Sequence, residues 1–313
     1  MPNNREKNFV SVVLYVHNNE NEIKKFLSMV QKVLDENFEK YEIICVNDYS
    51  TDSSLDKIRE FAASESGSTV NVINMSVYHG LELSMNAGVD LSIGDFVFEF
   101  DSLSVDYNEN IIMDVYYQSL KGYDIVAAAP DTMKSISSRI FYGIYNKYSH
   151  SAYKLRSESF RILSRRAINR VHSISKTIPY RKALYANSGL KIYSIIYQAN
   201  NMDNSSYFNR KKAENRRGIA TDALILFTDI AYKLALTLSS VLLLFMLGSG
   251  IYTCIMYFSG QPVAGWTTTM LLLSGGFFGI FLLLTIIIKY LSVLVDLVFN
   301  KQKYLIESIE KAR

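Results

Sequence analysis

The stretch FVSVVLYVHNNENEIKKFLSMVQKVLDENFEKYEIICVNDYSTD, residues 9–52, decides the fold class. It opens with an apolar run of strand length, Phe9–Val16, turns through the polar residues His17–Glu20, and continues as a helix over Glu20–Leu34. Within that helix Ile23, Phe26, Leu27, Val30 and Leu34 recur at helical spacing, so they share one face and can pack together on a sheet. A second apolar run, Tyr41–Asn47, follows and ends against Asp48. Apolar strands alternating with amphipathic helices are the pattern of a mostly parallel sheet covered by helices.

The same alternation continues outward through Val70–Asn74, Phe96–Phe100 and Asp124–Ala129, with helices filling the gaps. In open sheets of this kind ligands bind beyond the carboxyl ends of the strands. Three segments occupy such places: His17–Glu20, Asp48–Asp52 and Asp101–Asp106. No Gly-x-Gly-x-x-Gly follows the first strand, which argues against a dinucleotide-binding oxidoreductase.

Composition changes along the 313 residues. Up to about residue 220 charged and apolar residues are mixed, whereas Leu234–Phe258 and Met270–Ile288 contain no Asp, Glu, Lys or Arg. A helix of about 20 residues spans a hydrocarbon core of roughly 30 Å, so the two segments are expected to cross a membrane as a hairpin. Arg210, Lys211, Lys212, Arg216, Arg217 and Lys233 precede the first segment, and Lys289, Lys301 and Lys303 follow the second. The connecting Ser259–Thr269 has no basic residue, so the N-terminal domain and the C-terminal tail are expected on the cytoplasmic side. The opening residues MPNNREKNFV lack the apolar core of a signal peptide, in keeping with that placement. The net charge of +3 is too small to suggest nucleic acid. Cys45 and Cys254 fall in a strand and an apolar segment, which makes a disulfide between them implausible.

Four regions are therefore expected. Residues 1–135 form an α/β domain, 136–221 a helical juxtamembrane region, 222–295 the two spans at about 234–258 and 270–288, and 296–313 a cytoplasmic tail. In SISSRIFYGIYNKYSHSAY, residues 135–153, a stripe of Ile140, Phe141, Ile144, Tyr145 and Tyr148 lies beside Arg139 and Lys147. It suits an amphipathic helix at a membrane surface or a helix packed on the core. Asn200–Asn215 is the most polar segment and reads as a loop.

The order HNNENEI, IICVNDYSTDSS, YHGLELSMNAGVDLSIGDFVFEFD and FRILSRR, followed by two apolar spans, resembles the family-2 glycosyltransferases. The likeness is strongest to the dolichyl- and undecaprenyl-phosphate sugar transferases. It implies a GT-A fold, a Rossmann-like, mostly parallel sheet, here followed by amphipathic juxtamembrane helices and a transmembrane hairpin. It also implies that Asp48 and Ser50 contact the nucleoside of a nucleotide sugar, the Asp48 carboxylate accepting from the base. Asp52 reads as the cap of the next helix.

The resemblance further implies Mg or Mn on the sugar diphosphate, held after the fourth strand by an Asp-x-Asp and a following Gln. This chain has Asp101, Ser102, Leu103, Ser104, Val105 and Asp106 there, so the positions of the second Asp and the Gln are Leu103 and Val105. Ser159 stands where relatives carry an Asp before Phe-Arg, while Arg161 is kept. Asp101 and Arg161 are the catalytic candidates by this likeness, and Asp101 also a donor-site residue. Two arrangements could replace the lost ligands: a displaced ion on Glu99, Asp101 and Asp106, or neutralisation of phosphate by Arg161, Arg165, Arg181 or Arg217.

The implied reaction is inverting displacement at the anomeric carbon by a polyisoprenyl phosphate, in support of cell-envelope glycan synthesis or modification. A phosphate monoester, with a second pKa of about 6, needs no strong base. The implied partners are a nucleotide sugar, a polyisoprenyl phosphate and the lipid bilayer, with homo-oligomerisation open. The alternative is a non-catalytic membrane subunit that binds nucleotide or assists a partner transferase.

Overall fold

Every residue of the first strand, β1 (Val10–Val16), is buried, because helices cover the sheet on both faces. The computed structural model describes residues 5–64, 69–131, 136–149, 151, 153–174, 180–199, 265–299 and 304–312, with isolated residues between 233 and 248. Further elements are α1 (Ile23–Asn37), β2 (Tyr41–Asn47), α2 (Ser54–Ser64), β3 (Thr69–Met75), α3 (Leu81–Leu91), β4 (Phe96–Phe100) and α4 (Asn110–Leu120). They continue as β5 (Ile125–Pro130), α5 (Ile136–Tyr148), β6 (Phe160–Ser164), α6 (Arg165–Ile174), α7 (Arg181–Asn187), β7 (Ile192–Tyr197), α8 (Trp266–Phe299) and β8 (Ile306–Ala312).

The eight strands make one sheet in the order β7-β5-β6-β4-β1-β2-β3-β8. The pairs β1/β2, β1/β4, β2/β3 and β5/β7 are parallel, and β4/β6, β5/β6 and β3/β8 antiparallel. The expected α/β class with a mostly parallel sheet holds. Alternate residues of β1 serve opposite layers: Val10, Val12, Leu14 and Val16 pack with α1, α2 and α4, whereas Val13 and Tyr15 pack with α3, α6 and α7.

The chain forms two compact units. One comprises Met1–Ile219 with Lys301–Arg313, the other Ala220–Asn300. Within 136–221, read as helical, β6 and β7 belong to the same sheet as β1. FRILS and IYSIIY are strands through pairing with β4 and β5, which periodicity does not record. The tail expected at 296–313 likewise contains β8, whose charged sequence suits an edge strand. The helix drawn from Glu20 begins at Ile23, because Asn18 adopts a left-handed backbone (φ 53°) and the Glu20 N–H donates to Asp52.

On α5 the apolar stripe divides. Tyr142 and Tyr145 are buried, while Ile140 and Ile144 are exposed beside Arg139 and Lys147. In the second unit, α8 is a 34-residue helix, and a Cβ on Gly279 would lie 2.6 Å from Leu242 Cδ2, so Leu242 packs closely on it. Counting only residues whose side chains are described, no helix is long and apolar enough to cross a membrane. Most of 234–258, the loop at 200–215 and Cys254 lie outside the described residues.

Gly88 brings α3 onto β1 and β2, where a Cβ would overlap Val13 Cγ1 and stand 2.7 Å from Val46 Cγ2. Gly88→Ala should therefore lose about 1–3 kcal/mol through overpacking, more than the roughly 0.5–1 kcal/mol gained by replacing glycine in a helix. Urea unfolding of the variant checks this, and an unchanged midpoint would contradict the packing.

Candidate active site

The loops after β1 and β2 are fastened to each other. Asn18 N donates to Ser50 Oγ (3.1 Å) and Thr51 N to Asn18 Oδ1 (2.8 Å), while Ser53 N donates to Glu20 Oε2 (3.2 Å). Tyr49, like Asn18, has a left-handed backbone (φ 54°), and its side chain is 52% exposed. Two such non-glycine residues side by side at strand ends mark a place where tertiary contacts override local preference. The His17 ring stands 4.7 Å from that of Tyr78.

Asp48 lies fully buried beneath this surface. Its Oδ1 accepts from His79 N (2.8 Å), and its Oδ2 from Gly80 N (2.8 Å) and Tyr15 OH (2.9 Å). Burial, reinforced by the Asp48 carboxylate, pushes the Tyr15 phenol far above its usual range, so it remains a donor. Asp48 thus ties the end of β2 to the start of α3. A carboxylate has about four lone-pair sites, so the three bonds leave acceptor capacity for one further N–H. Ser50 sits beside it, its N–H donating to Asn47 Oδ1 (3.2 Å). Asp52 accepts from Ser54 N (3.0 Å) at the start of α2, as a capping residue does.

The second cluster grows from β4. Glu99 and Asp101 follow the period of two, and antiparallel register sets Glu99 opposite Arg161 of β6. Arg161 contacts Glu99 (3.0 Å), Asp101 (2.7 Å) and Glu158 (3.2 Å). Arg181, from α7, contacts Glu82 of α3 (3.0 Å), Glu99 (2.9 Å) and Asp101 (2.6 Å). The Arg161–Glu158 and Arg181 Nη1–Glu99 contacts are ion pairs without hydrogen-bond alignment. Tyr185 OH adds a hydrogen bond to Glu99 (2.9 Å). Both guanidinium groups are 1% exposed. Burial alone would raise the Asp101 carboxyl, yet Arg181 and Arg161 hold it well below the usual carboxylate range. Its stabilising charge is therefore in place at neutral pH and is lost only as pH falls below about 4, through the lowered folded-state value.

Beside this cluster, Tyr197 OH donates to Asp106 Oδ1 (2.7 Å), and Ser159 Oγ lies 3.3 Å from the same oxygen. Leu103 is buried in the core and Val105 packs against it. The residues present do not fit the expected Mg or Mn: two of its positions are apolar and inward, and both Asp101 oxygens are held by guanidinium groups. Glu99, Asp101 and Asp106 do not assemble into a metal site, and among the described residues no group of three or more His, Cys, Asp or Glu does so.

Of the arginines read as phosphate candidates, Arg161 and Arg181 come together, but facing carboxylates. Arg165 is elsewhere, donating to the carbonyls of Gly94 (3.0 Å) and Ser92 (3.0 Å) before β4, at the other end of the sheet. Arg217 lies outside the described residues. Sequence reasoning missed Glu82, Tyr185 and Tyr197. The signal available was Glu99 itself, since an acid between Phe98 and Phe100 in a core strand requires buried cations.

The family model Glycosyl transferase family 2 matches residues 11–185, more than half of the chain. The chain belongs to glycosyl transferase family 2. This family-2 glycosyltransferase is 24% identical over 269 residues to an uncharacterized glycosyltransferase of Synechocystis sp., with 83% of each chain covered. It is 33% identical over 124 residues to the undecaprenyl-phosphate 4-deoxy-4-formamido-L-arabinose transferase of Aeromonas hydrophila, covering 40% of this chain and 37% of that one. Its fold is similar to that of a mannosyltransferase from Pyrobaculum calidifontis solved with GDP-Man and Mn2+, at 12% identity and a TM-score of 0.50, covering 95% and 89% of the two chains.

Arg181→Met would take from Glu82 its contact with Arg181 and leave Glu99 and Asp101 with the Arg161 guanidinium alone. A loss of about 3–5 kcal/mol is expected in urea unfolding at neutral pH. A change below about 1 kcal/mol would show that the pair is not needed for stability.

Proposed function

We propose that this family-2 glycosyltransferase moves a sugar from a nucleoside diphosphate to a polyisoprenyl phosphate at a membrane surface, with Ala220–Asn300 as its anchor. The observation that carries the membrane reading is topological. Residues before and after the apolar segment belong to one compact unit, and β8 pairs with β3, so any crossing of a bilayer must occur an even number of times. At about 1.5 Å per residue the backbone of α8 exceeds a hydrocarbon core of roughly 30 Å. Phe277, Phe278, Phe281, Ile287 and Ile288 are exposed along it. The distribution of Lys and Arg supports a cytoplasmic side for the sheet domain and β8. Similarity to undecaprenyl-phosphate transferases supports the acceptor class.

In the reaction, a phosphate oxygen of the lipid forms a bond to the anomeric carbon as the bond to the nucleoside diphosphate breaks, with inversion. The lipid phosphate enters already ionised, so no base is required at Ser159. Asp106, hydrogen-bonded to Ser159, keeps a carboxylate beside the place where relatives carry one. With Arg161 and Arg181 committed, the uncommitted cation of α7 is Lys182. It is half-buried, its charge helps lower the Asp101 carboxyl, and it makes no ion pair among the described residues. Lys182 is assigned to the leaving diphosphate.

Incubation of the full-length protein with radiolabelled UDP- or GDP-sugars and undecaprenyl phosphate tests this. Lipid-linked sugar is expected in EDTA as well as with Mn2+, falling about a hundredfold in Lys182→Met. Nucleotide binding without product from any donor would instead favour a non-catalytic subunit, a reading that the closed Asp101 cluster supports.

Topology is tested separately, in a Cys254→Ser background with Cys45 buried. A membrane-impermeant maleimide should label Glu307→Cys in inside-out vesicles and Gln261→Cys only after detergent. Labelling of both from one face would refute the hairpin.

A further inference from the structure

Two hydrogen-bond paths lead from β8 into the loop that carries Asp48. The first passes through Asn74 of β3, whose amide nitrogen donates to Ser308 Oγ (3.0 Å) and Glu310 Oε1 (2.7 Å). Its oxygen accepts from Asn47 Nδ2 (2.9 Å), and Asn47 Oδ1 in turn accepts from Ser50 N (3.2 Å). Asn47 and Asn74 are both buried, so the bond between them is made away from water, where a missing partner is costly.

The second path passes through His79. Its Nδ1 lies 2.6 Å from the Val77 carbonyl and must carry the proton, which leaves Nε2 to accept from Leu305 N (3.0 Å). Its backbone N–H donates to Asp48 Oδ1, next to the Gly80 N–H on Oδ2. The strand is secured on either side of these contacts, by Arg59 on Glu310 (2.9 Å) and by Tyr304 OH on Asp90 (2.7 Å). The residues that follow the apolar segment therefore reach Asp48 and Ser50 through one intervening histidine and two asparagines.

We infer that His79 and Asn74 are positioning residues through which docked β8 holds the Asn47–Ser50 loop and Asp48 in the geometry that receives a nucleoside diphosphate. The inference rests on the reading of that loop as the nucleotide site. Asn74 fixes the loop from below through Asn47, and His79 fixes the carboxylate from the side. Loss of β8 withdraws both supports at once, so donor affinity depends on a strand more than two hundred residues away (separation 234).

The test is calorimetric titration of UDP, and of GDP in parallel, into full-length protein. Variants are Asp48→Ala, His79→Ala, His79→Gln and the pair Ser308→Pro/Ile309→Pro. Successive N–H groups of an antiparallel edge strand alternate toward and away from the neighbour, so one of the two prolines removes a ladder bond. His79→Ala and the proline pair are expected to weaken nucleotide binding about fivefold, with unfolding midpoints close to that of the parent. His79→Gln, which offers an acceptor in place of Nε2, should recover most of the affinity. In turnover, the His79→Ala change should appear in the donor KM and not in kcat.

If the parent binds neither nucleotide, or Asp48→Ala binds as well as the parent, the nucleotide reading falls and the inference with it. If Asp48→Ala loses binding while His79→Ala and the proline pair keep parental affinity, the inference alone is overturned. Weakened binding that tracks a lowered unfolding midpoint, with no rescue by His79→Gln, also overturns it, since general destabilisation would then be the cause.

Discussion

Burying Asp101 next to Glu99 would be prohibitive without compensation, and the layer around β4 is organised to supply it. Two like charges on neighbouring positions of one strand face, Glu99 fully buried and the Asp101 side chain 12% exposed, cost several kcal/mol unless cations are held against them. Arg161 arrives through antiparallel pairing of β6, directly across from Glu99. Arg181 arrives on α7 and also holds Glu82 in the first turn of α3. One electrostatic requirement thus joins two strands and two helices around a single point. Its geometry leaves little freedom in how α7 can sit on the sheet.

The same requirement accounts for the chemistry of the loop after β4. Where family relatives are expected to present oxygens to a metal, this chain turns Leu103 and Val105 inward and fastens Asp106 through Tyr197. Packing has replaced ligation there. In the proposed transfer, with Asp101 held by guanidinium groups, the positive charge for the departing diphosphate is assigned to Lys182, whose charge helps lower the Asp101 carboxyl and which makes no ion pair among the described residues.

Much of the fold was legible because β1, β2, β4 and β5 are predominantly apolar runs, and because α1 places its five apolar residues on one stripe. The strands β2 and β4 match their expected limits residue for residue. Legibility failed where segments depend on distant partners. FRILS becomes a strand by pairing on two sides, and IESIEKA by meeting the free edge of β3, neither of which periodicity records. At the site, sequence singled out Asp48, Asp101 and Arg161, but not that Asp101 and Arg161 are partners. Charge type is visible in a sequence, whereas which opposite charge reaches it is set by register. Arg165, four residues beyond Arg161, emerges at the far end of the sheet for that reason.

The pairing of β3 with β8 also has a temporal side. Asn74 and Ser308 are 234 positions apart, so when β3 has formed, its outer edge has no partner until the apolar segment and the residues beyond it have been synthesised. During that interval the sheet presents an unpaired edge, the kind of surface on which other chains add strands. At an elongation rate of about 5–20 residues per second, the wait lasts on the order of ten to fifty seconds. Completion of the sheet is thereby timed after emergence of α8, so this domain reaches its final edge only once Ala220–Asn300 has been synthesised.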